Sequence, residues 1–536
     1  MEYSDSKELG GELNKQINKR GFVWISLFIA LILFAVGSIP YLMAIAQEDA
    51  QHSFHGYMHY PEDMDTYASF IKQSASGSFV FYNPYETQSM EPAYFNLLWL
   101  ILGKISALGF SFAVVFQMLR IISAIVLIFA FSLLTEKLNF TKPARIFACC
   151  LFVFGSGFGW IAKYAEMKIV PPDLYTELFP FVQASFVPHS ALAHGVLLLA
   201  LGLVWLSEKN ESTRHAAWAG LLLLVLGFFR SYDALVGWSV GAVVLAVQML
   251  IARNRFAVLK RSAIILSLPL VAFLYSWWLT SYSEGFSIWS QTNKYSPPDI
   301  QTFLFGLGLP LVGTIIWLVI RLFKIKQTGF NERFLFAWIA TLWFLMLSGV
   351  LPFAWRTCAG FTAPMLLATV SLIPMRKKLT IRELAIYIII LCLALPGSVV
   401  FINQKINEAN EQYRYYFQAP EVIDALKWLD TRKPGTKVFT HGHIALKVPA
   451  YSNCVSYLGH KDLSRDFLKK KQTYMAVIKS KSPRRAKNIL KAQGVDLVFW
   501  GPLDRRFAKN FTPDKVPNLV AVYKNPLVTV YQFVED

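Results

Sequence analysis

Two acidic residues, Asp63 and Asp65, lie in an aromatic-rich segment between two strongly hydrophobic stretches of the chain. A carboxylate held close to a membrane loses its hydration at a large cost, which favours a site over a linker. A carboxylate within hydrogen-bonding reach of a hydroxyl group can accept its proton. We therefore predict that Asp63 acts as a general base, with Asp65 as the second candidate.

Cationic side chains at the ends of hydrophobic stretches could supply complementary chemistry, because arginine binds phosphate oxygens through charge-assisted hydrogen bonds. Arg230 ends one such stretch and Arg356 precedes another. We predict that both lie at the outer membrane boundary and contact a phosphate group. For Arg230, a snorkelling side chain or an ion pair with Asp233 is the structural alternative. His189, which begins a further stretch, is a third candidate, although it could be an interfacial histidine with satisfied hydrogen bonds.

The composition is that of a polytopic membrane protein. The 536 residues are 55% hydrophobic and 16% charged, whereas a soluble protein carries about 25% charged residues. The hydrophobic residues come in runs of about 17–25, the length that crosses a bilayer core. The formal net charge of +18 comes largely from short loops between these runs, which is how topology is set. We therefore expect no nucleic-acid partner.

Hydropathy predicts eleven transmembrane helices. They are 22–46, 112–134, 144–162, 189–206, 216–231, 233–251, 262–281, 300–322, 334–350, 357–374 and 384–402. The segment 93–107 is apolar but short, and we interpret it as interfacial. With eleven spans, every basic loop faces the cytoplasm, as the positive-inside rule requires. This places the N-terminus in the cytoplasm, and the loop 47–111 and all residues after 403 outside.

The tail, residues 403–536, has a different pattern from the transmembrane domain, 1–402. Helical spacing appears in 420–432, 470–481 and 483–493, and strand-like runs appear in 437–440, 495–500, 519–523 and 528–534. This alternation predicts a small α/β domain.

The acidic loop resembles the first external loop of GT-C glycosyltransferases, which are polytopic enzymes that use polyprenyl-phosphate-linked sugars. The matching pattern is Asp63-x-x-x-Tyr67, then Gly77 and Asn83, then a hydrophobic stretch after Pro92. Many members have Asp-Glu at the first two positions, whereas Met64 replaces the glutamate here. The Pro188-His189 pair and the Gly459-His460 step in the tail also resemble family patterns.

The resemblance implies an inverting glycosyltransferase on the external side of a bacterial plasma membrane. Its donor would be a polyprenyl-phosphate-linked sugar, its acceptor a glycan, a lipid or a protein, and membrane lipid would surround it. The resemblance implies Asp63 as a catalytic residue, and we keep Asp65 from the acidic pair as the second catalytic candidate. The resemblance implies Tyr67, Asn83 and His189 as substrate-binding residues, and the residues themselves add Glu91, Arg230 and Arg356 as candidates.

The cofactor stays open. No Walker, GxGxxG or zinc signature is present, so we expect no nucleotide cofactor. A divalent metal remains an option, for which His55 and His59 beside Asp63 have a permissive spacing, although loop histidines usually have other roles. Two other functions remain as alternatives. A transporter or flippase of lipid-linked sugars would place its charges near the bilayer midplane, and a non-catalytic scaffold of an envelope complex would tolerate the incomplete Asp-Glu pair.

Overall fold

The structure is a computed structural model that describes residues 2–88, 90–294, 296, 299–373, 376–508 and 511–534. Side chains are described from Phe22 onward, except at residue 359. The fold is mostly helical.

The α-helices before the tail are α1 (Glu2–Ala46), α2 (Pro61–Ala75), α3 (Leu97–Ser106), α4 (Phe112–Lys137), α5 (Lys142–Phe154), α6 (Gly159–Tyr164), α7 (Pro180–Phe186), α8 (Pro188–Lys209), α9 (Thr213–Gly227), α10 (Ser231–Ile251), α11 (Arg255–Ser267), α12 (Leu270–Tyr282), α13 (Ile288–Thr292), α14 (Ile300–Leu307), α15 (Leu309–Phe323), α16 (Phe330–Leu347), α17 (Thr362–Val370), α18 (Ile381–Ala394) and α19 (Pro396–Asn410). The tail contains α20 (Pro420–Trp428), α21 (Gly442–Tyr451), α22 (Phe467–Ile478), α23 (Pro483–Ala492) and α24 (Pro502–Phe507). Short 3-10 helices occupy Pro172–Leu174, Ile325–Gln327, Ala354–Gly360, Leu429–Thr431 and Pro513–Lys515.

The strands are β1 (Ser53–Phe54), β2 (Phe417–Gln418), β3 (Lys437–Phe439), β4 (Val455–Ser456), β5 (Leu497–Trp500), β6 (Leu519–Lys524) and β7 (Thr529–Phe533).

Seven helical segments among the described residues are long and apolar enough to cross a membrane. They are Phe22–Ala46, Phe112–Lys137, Pro188–Lys209, Ser231–Ile251, Arg255–Tyr282, Phe330–Leu347 and Ile381–Asn410. The pair α14 and α15 would be an eighth, but it bends by 90°. The bend lies at Gly308, which has a φ of 57°, and a Cβ there would lie 2.7 Å from the Cα of Gly157. Only glycine combines that backbone conformation with so close an approach.

The prediction of eleven spans is not confirmed. The predicted span 144–162 is divided by Gly155–Gly157 into α5 and α6, and the hydroxyl of Ser156 donates to the carbonyl of Ala394 at 2.6 Å. The predicted span 216–231 is the 15-residue helix α9. The predicted span 357–374 contains only the nine-residue helix α17 after a 3-10 turn, and its Pro374 lies outside the described residues. The orientation of the termini stays a prediction.

The chain folds into two compact units. One comprises residues 1–39, 117–273 and 295–405, and the other comprises 40–116, 274–294 and 406–536. We call them the helical unit and the mixed unit. The mixed unit therefore contains the acidic segment as well as the tail sequence. The domain boundary predicted near residue 402 stays a prediction.

The main sheet of the mixed unit has the order β4-β3-β5-β7-β6. Strand β3 is parallel to β4 and β5, whereas β7 is antiparallel to β5 and β6. Both faces of the sheet are covered by apolar clusters, one containing Val498 and Tyr531 and the other Phe499 and Val530. Central strand β5 is therefore buried along its whole length, which explains its uninterrupted apolar sequence.

Candidate active site

Asp63 lies in the first turn of α2, not in a loop as its sequence surroundings suggested. The helix begins at Pro61, whose missing N–H would have no helical partner at this position. Glu62 and Asp63 are the acidic residues of the first turn, where the positive end of the helix dipole stabilises negative charge. The side chain of Asp63 remains 34% exposed, so an acceptor hydroxyl can approach it.

His460 is the neighbour of Asp63. Its Nε2 lies 3.2 Å from Oδ1 of Asp63, and its Nδ1 accepts the backbone N–H of Asp462 at 3.1 Å. With Nδ1 accepting, Nε2 carries the proton and donates it to the carboxylate. Burial alone lowers the pKa of His460, but the hydrogen bond to Asp63 and the charges of Asp63, Asp462 and Glu62 outweigh burial and raise it above 6.5. His460 thus donates a hydrogen bond to the Asp63 carboxylate and orients it.

Gly459, the residue before His460, leaves room for the ring of Tyr85. A Cβ at this position would lie 2.0 Å from Cδ1 of Tyr85. The hydroxyl of Tyr85 lies 3.1 Å from the Oγ1 of Thr66 on α2, and it donates to the carbonyl of Leu446 at 3.2 Å. The Gly-His step that resembles the family pattern therefore has a steric reason, since any larger residue would displace the tyrosine ring.

Asp65 has entirely different surroundings. It is buried, and its Oδ1 accepts the hydroxyl of Tyr57 at 2.6 Å. The Nζ of Lys447, on α21, lies 3.1 Å from Oδ2 of Asp65 and 2.8 Å from the hydroxyl oxygen of Tyr57. Burial raises the pKa of Asp65 and lowers the pKa of Lys447, against their mutual attraction in both cases. Asp65 thus anchors α2 to α21.

Sequence reasoning missed Lys447 and Tyr57. The signal for Lys447 was a single cation inside the apolar run 444–448, on a helix that was not predicted. An isolated lysine of this kind is rarely buried without a carboxylate partner. Its partner could not be chosen, because the chain contains many acidic residues.

Asn83 joins three segments of the mixed unit. Its Nδ2 donates to the carbonyls of Gly285 and Leu463 at 2.8 and 2.7 Å, and its Oδ1 accepts the N–H of Tyr85 at 3.0 Å. Both ends of the amide are used within the protein. The predicted contact of Asn83 with a substrate stays a prediction, and its observed contacts position the loop that precedes Tyr85.

Tyr67 and Glu91 are the other predicted residues of this unit. The Tyr67 ring, on α2, stacks on Trp99 with ring centroids 4.5 Å apart and planes inclined by 20°. Glu91 is exposed. Substrate contacts of both residues stay predictions.

A second buried acid, Glu86, was also missed. Its Oε1 accepts the Nζ of Lys470 at 3.2 Å, and its Oε2 accepts the backbone N–H of Arg465 at 3.3 Å. The guanidinium of Arg465 donates in turn to the carbonyl of Glu284 at 2.8 Å. The segment that carries His460 is therefore held at a second point, close in sequence to the histidine.

In the helical unit, Arg230 is buried between two carboxylates. Its Nη2 lies 2.6 Å from Oε1 of Glu177, and its Nε lies 2.7 Å from Oδ2 of Asp233. The Arg230–Asp233 pair was an alternative drawn from the sequence, whereas Glu177 was not anticipated. With both sides of the guanidinium engaged, the charge of Arg230 is already compensated.

Glu177 brings the predicted cationic residues of this unit together. Burial raises its pKa, but the charge and hydrogen bonds of Arg230, with the charges of His189 and Arg356, outweigh burial and lower the pKa to about 2. Three predicted site residues, Arg230, Arg356 and His189, thus share one electrostatic neighbourhood. The acid at its centre carries no recognisable sequence signal beyond its place in a predicted external loop.

The described side chains do not fit a metal centre. Nowhere in the described ranges do three or more His, Cys, Asp or Glu side chains come together in a group that could hold a metal ion. His55 points its Nδ1 to the hydroxyl of Tyr451 at 2.9 Å, and the ring of His59 packs on Tyr60 with centroids 3.9 Å apart. The carboxylate of Asp65 forms an ion pair with Lys447. We therefore derive no step through a metal.

Comparison with solved structures identifies the fold. The chain superimposes on the apo oligosaccharyltransferase of Archaeoglobus fulgidus with a TM-score of 0.53 at 14% identity, covering 89% of this chain and 69% of that one. It superimposes on apo ArnT of Cupriavidus metallidurans with a TM-score of 0.51 at 13% identity, covering 94% and 97%. The Archaeoglobus enzyme AglB in complex with an inhibitory peptide and a dolichol-phosphate gives 0.50 at 12% identity, covering 88% and 69%.

These enzymes are GT-C glycosyltransferases, so the resemblance inferred from the acidic segment is confirmed at the level of the fold. The chain shares the fold of these enzymes and has multiple apolar helices of transmembrane length. No protein-family model and no curated protein matches the sequence. The fold is thus recognised by structural superposition and not by sequence similarity.

Proposed function

We propose that this protein transfers a sugar from a polyprenyl-phosphate-linked donor to an acceptor on the external side of a bacterial plasma membrane. The observation that carries the proposal is the Asp63–His460 pair in a GT-C fold, a partly exposed carboxylate with an oriented neighbour. AglB has been captured with a dolichol-phosphate, which supports a lipid-phosphate donor. In this proposal the N-terminus is cytoplasmic and the tail is extracytoplasmic.

Asp63 is the proposed base. The acceptor hydroxyl oxygen attacks the anomeric carbon of the donor sugar, and the bond from that carbon to the phosphate oxygen breaks. Polyprenyl phosphate leaves with the bonding electrons, and Asp63 takes the hydroxyl proton. A single displacement of this kind inverts the anomeric configuration. His460 is a positioning residue, because it lies 3.2 Å from Oδ1 of Asp63 and orients the carboxylate.

We assign Arg356 to the donor phosphate. Arg230 is the poorer candidate, since Glu177 and Asp233 already compensate its charge. A guanidinium can bind two phosphate oxygens in parallel and stabilise the charge that develops on the leaving group. His189, next to the same acid, is assigned to the same group. The acceptor class, whether glycan, lipid or protein, is left to experiment.

The test combines binding with turnover. The purified full-length protein in nanodiscs is given undecaprenyl-phosphate-linked hexoses and pentoses, together with glycan, lipid or peptide acceptors, and mass spectrometry follows the release of undecaprenyl phosphate. We expect acceptor-dependent release, and we expect Arg356→Ala to weaken donor binding by about 1.5–3 kcal/mol through loss of a charge-assisted contact.

Three outcomes decide the proposal. Donor binding without release for any acceptor would reject transfer and favour the scaffold. Movement of intact donor between leaflets would favour the transporter. Equal donor affinity in Arg356→Ala and in the folded wild type would remove Arg356 from the phosphate site.

A further inference from the structure

The helical pair α22 and α23, with its connecting and following residues, is strongly basic. Between residues 467 and 495 the chain contains nine lysines and arginines and no aspartate or glutamate. The proposed transfer chemistry uses none of these residues. A run of this length without one acidic residue concentrates positive potential on one part of the mixed unit.

Most of these cations face solvent. Lys470 is held by Glu86, and Lys487 lies against Asn518. The other seven are exposed, and we call them the basic surface: Lys469, Lys471, Lys479, Lys481, Arg484, Arg485 and Lys491. None of the seven pairs with a described acidic residue, so their charge is available to a ligand.

The helices offer no apolar face to a membrane. The apolar side chains of α22 and α23 are buried in the cluster that covers the sheet, among them Tyr474, Val477 and Leu490. Leu468 is exposed, but one leucine does not form the apolar stripe with which interfacial helices insert into a bilayer. Any ligand of the basic surface must therefore be bound through charge and hydrogen bonds.

A groove runs between the two helices, and its shape indicates what kind of ligand fits. Its lining combines the guanidinium of Arg485 and the amide of Asn488 with apolar side chains, and the full set is Thr473, Ala476, Arg485, Asn488, Ile489, Ala492 and Gln493. A sugar ring has an apolar C–H face as well as hydroxyl groups, so this mixed lining in a concave surface suits a saccharide chain that carries anionic groups. A bilayer surface is flat on this scale and cannot enter the groove.

We propose that the basic surface and the groove bind an anionic glycan, a saccharide chain that carries carboxylate or phosphate groups. The cations neutralise the anionic groups, and the groove receives the sugar rings. This binding site is independent of the transfer chemistry proposed above, since it requires neither Asp63 nor a lipid-linked donor.

The experiment measures binding of an oligogalacturonate to the full-length protein in phosphatidylcholine nanodiscs. The variant is Lys481→Gln/Arg484→Gln/Arg485→Gln/Lys491→Gln, whose exposed positions make no described contact that folding needs. We expect it to weaken binding by about tenfold or more and to flatten the salt dependence, because fewer counterions are exchanged when fewer cations meet the polyanion.

The matched control removes the same charge elsewhere on the mixed unit, as Lys427→Gln/Lys433→Gln/Lys515→Gln/Lys524→Gln. All four positions are exposed. We expect it to bind as the wild type does, and neutral dextran oligomers not to bind. Equal loss in both variants, or binding of phosphatidylglycerol vesicles with no binding of the oligogalacturonate, would overturn the proposal. Thermal unfolding of both variants establishes that they are folded.

Discussion

Asp63 and Asp65 stand two residues apart on one helix, yet the structure places them in opposite environments. Asp63 is partly exposed and has the imidazole of His460 at 3.2 Å. Asp65 is buried against the ammonium group of Lys447 and the hydroxyl of Tyr57. Two identical side chains in one acidic cluster therefore differ in their access to a ligand and in their partners.

The difference in exposure indicates that Asp63 can take part in chemistry, whereas Asp65 anchors its helix. A general base needs access to its substrate, which the exposure of Asp63 allows. A buried carboxylate with a lysine partner lacks that access, but its loss would leave the lysine charge uncompensated in the interior. We infer that the two aspartates have different roles. Asp65 anchors α2, and this fixes the orientation of Asp63, the proposed base.

The largest expected effect distinguishes the two carboxylates by turnover. Asp63→Asn keeps the shape and removes the proton acceptor, so turnover should fall by about 10²–10⁴-fold, the usual contribution of a positioned base. Asp65→Asn should lower the yield of folded protein far more than the turnover of each folded molecule. Release of undecaprenyl phosphate per folded protein is the measurement.

The matched control for this comparison is Asp424→Asn, the same chemical change at an exposed position of α20. It should behave as the wild type. Near-native turnover in Asp63→Asn, or equal loss per folded molecule in both variants, would contradict the division of roles.

The second effect concerns stability. Lys447→Met keeps the apolar stem but leaves the carboxylate of Asp65 without its cation, which should lower the free energy of unfolding by about 3–5 kcal/mol. The double variant Asp65→Asn/Lys447→Met removes both charges and should recover most of the loss. Chemical unfolding in detergent micelles measures both.

If the double variant is no more stable than Lys447→Met, the lysine acts through packing alone and the anchoring role of the ion pair is wrong. Lys427→Met, at an exposed position of α20, is the control for the loss of one lysine charge.

The smallest effect is a pH dependence. The pKa of His460 is raised above 6.5 in the folded protein, so its contact with Asp63 contributes stability below the unfolded pKa and loses that contribution as pH rises through the folded pKa. We expect His460→Gln to lower the free energy of unfolding by about 0.5–1.5 kcal/mol, the range for one hydrogen bond. This loss of stability should be larger at about pH 5.5 than at about pH 8.

Thermal unfolding of the wild type and His460→Gln at both pH values gives the result. If the loss of stability in His460→Gln is the same at both pH values, or larger at the higher pH, the charge of His460 does not stabilise its contact with Asp63. Asn488→Gln, at an exposed position of α23 without a titrating group, serves as the control for the substitution.

Local patterns were sufficient for several elements of the tail, but not for α21, α24, β2 and β4. The runs 437–440, 495–500, 519–523 and 528–534 predicted strands, and the structure contains β3, β5, β6 and β7 at these places. The predicted helices near 420 and 483 correspond to α20 and α23. Both periodicities are properties of neighbouring residues, so they can be read without the fold.

The same kind of evidence failed for part of the transmembrane region. Apolar composition predicted continuous spans across 144–162 and 300–322, but the chain breaks near Gly157 and turns by 90° at Gly308. These two glycines approach each other closely, with a Cβ at 308 only 2.7 Å from the Cα of Gly157. A close approach between segments so far apart in sequence has no local signature.

The sequence by itself determined the membrane character, several strands and helices of the tail and the acidic pair on which the candidate site is built. Each of these depends on composition or on spacing within a few residues. Only the tertiary structure decided which aspartate is exposed and which is buried. His460 is 397 residues from Asp63, and Lys447 is 382 residues from Asp65. At such separations no periodicity connects the partners, and the choice among many charged residues is made by packing and by the cost of burying a charge alone.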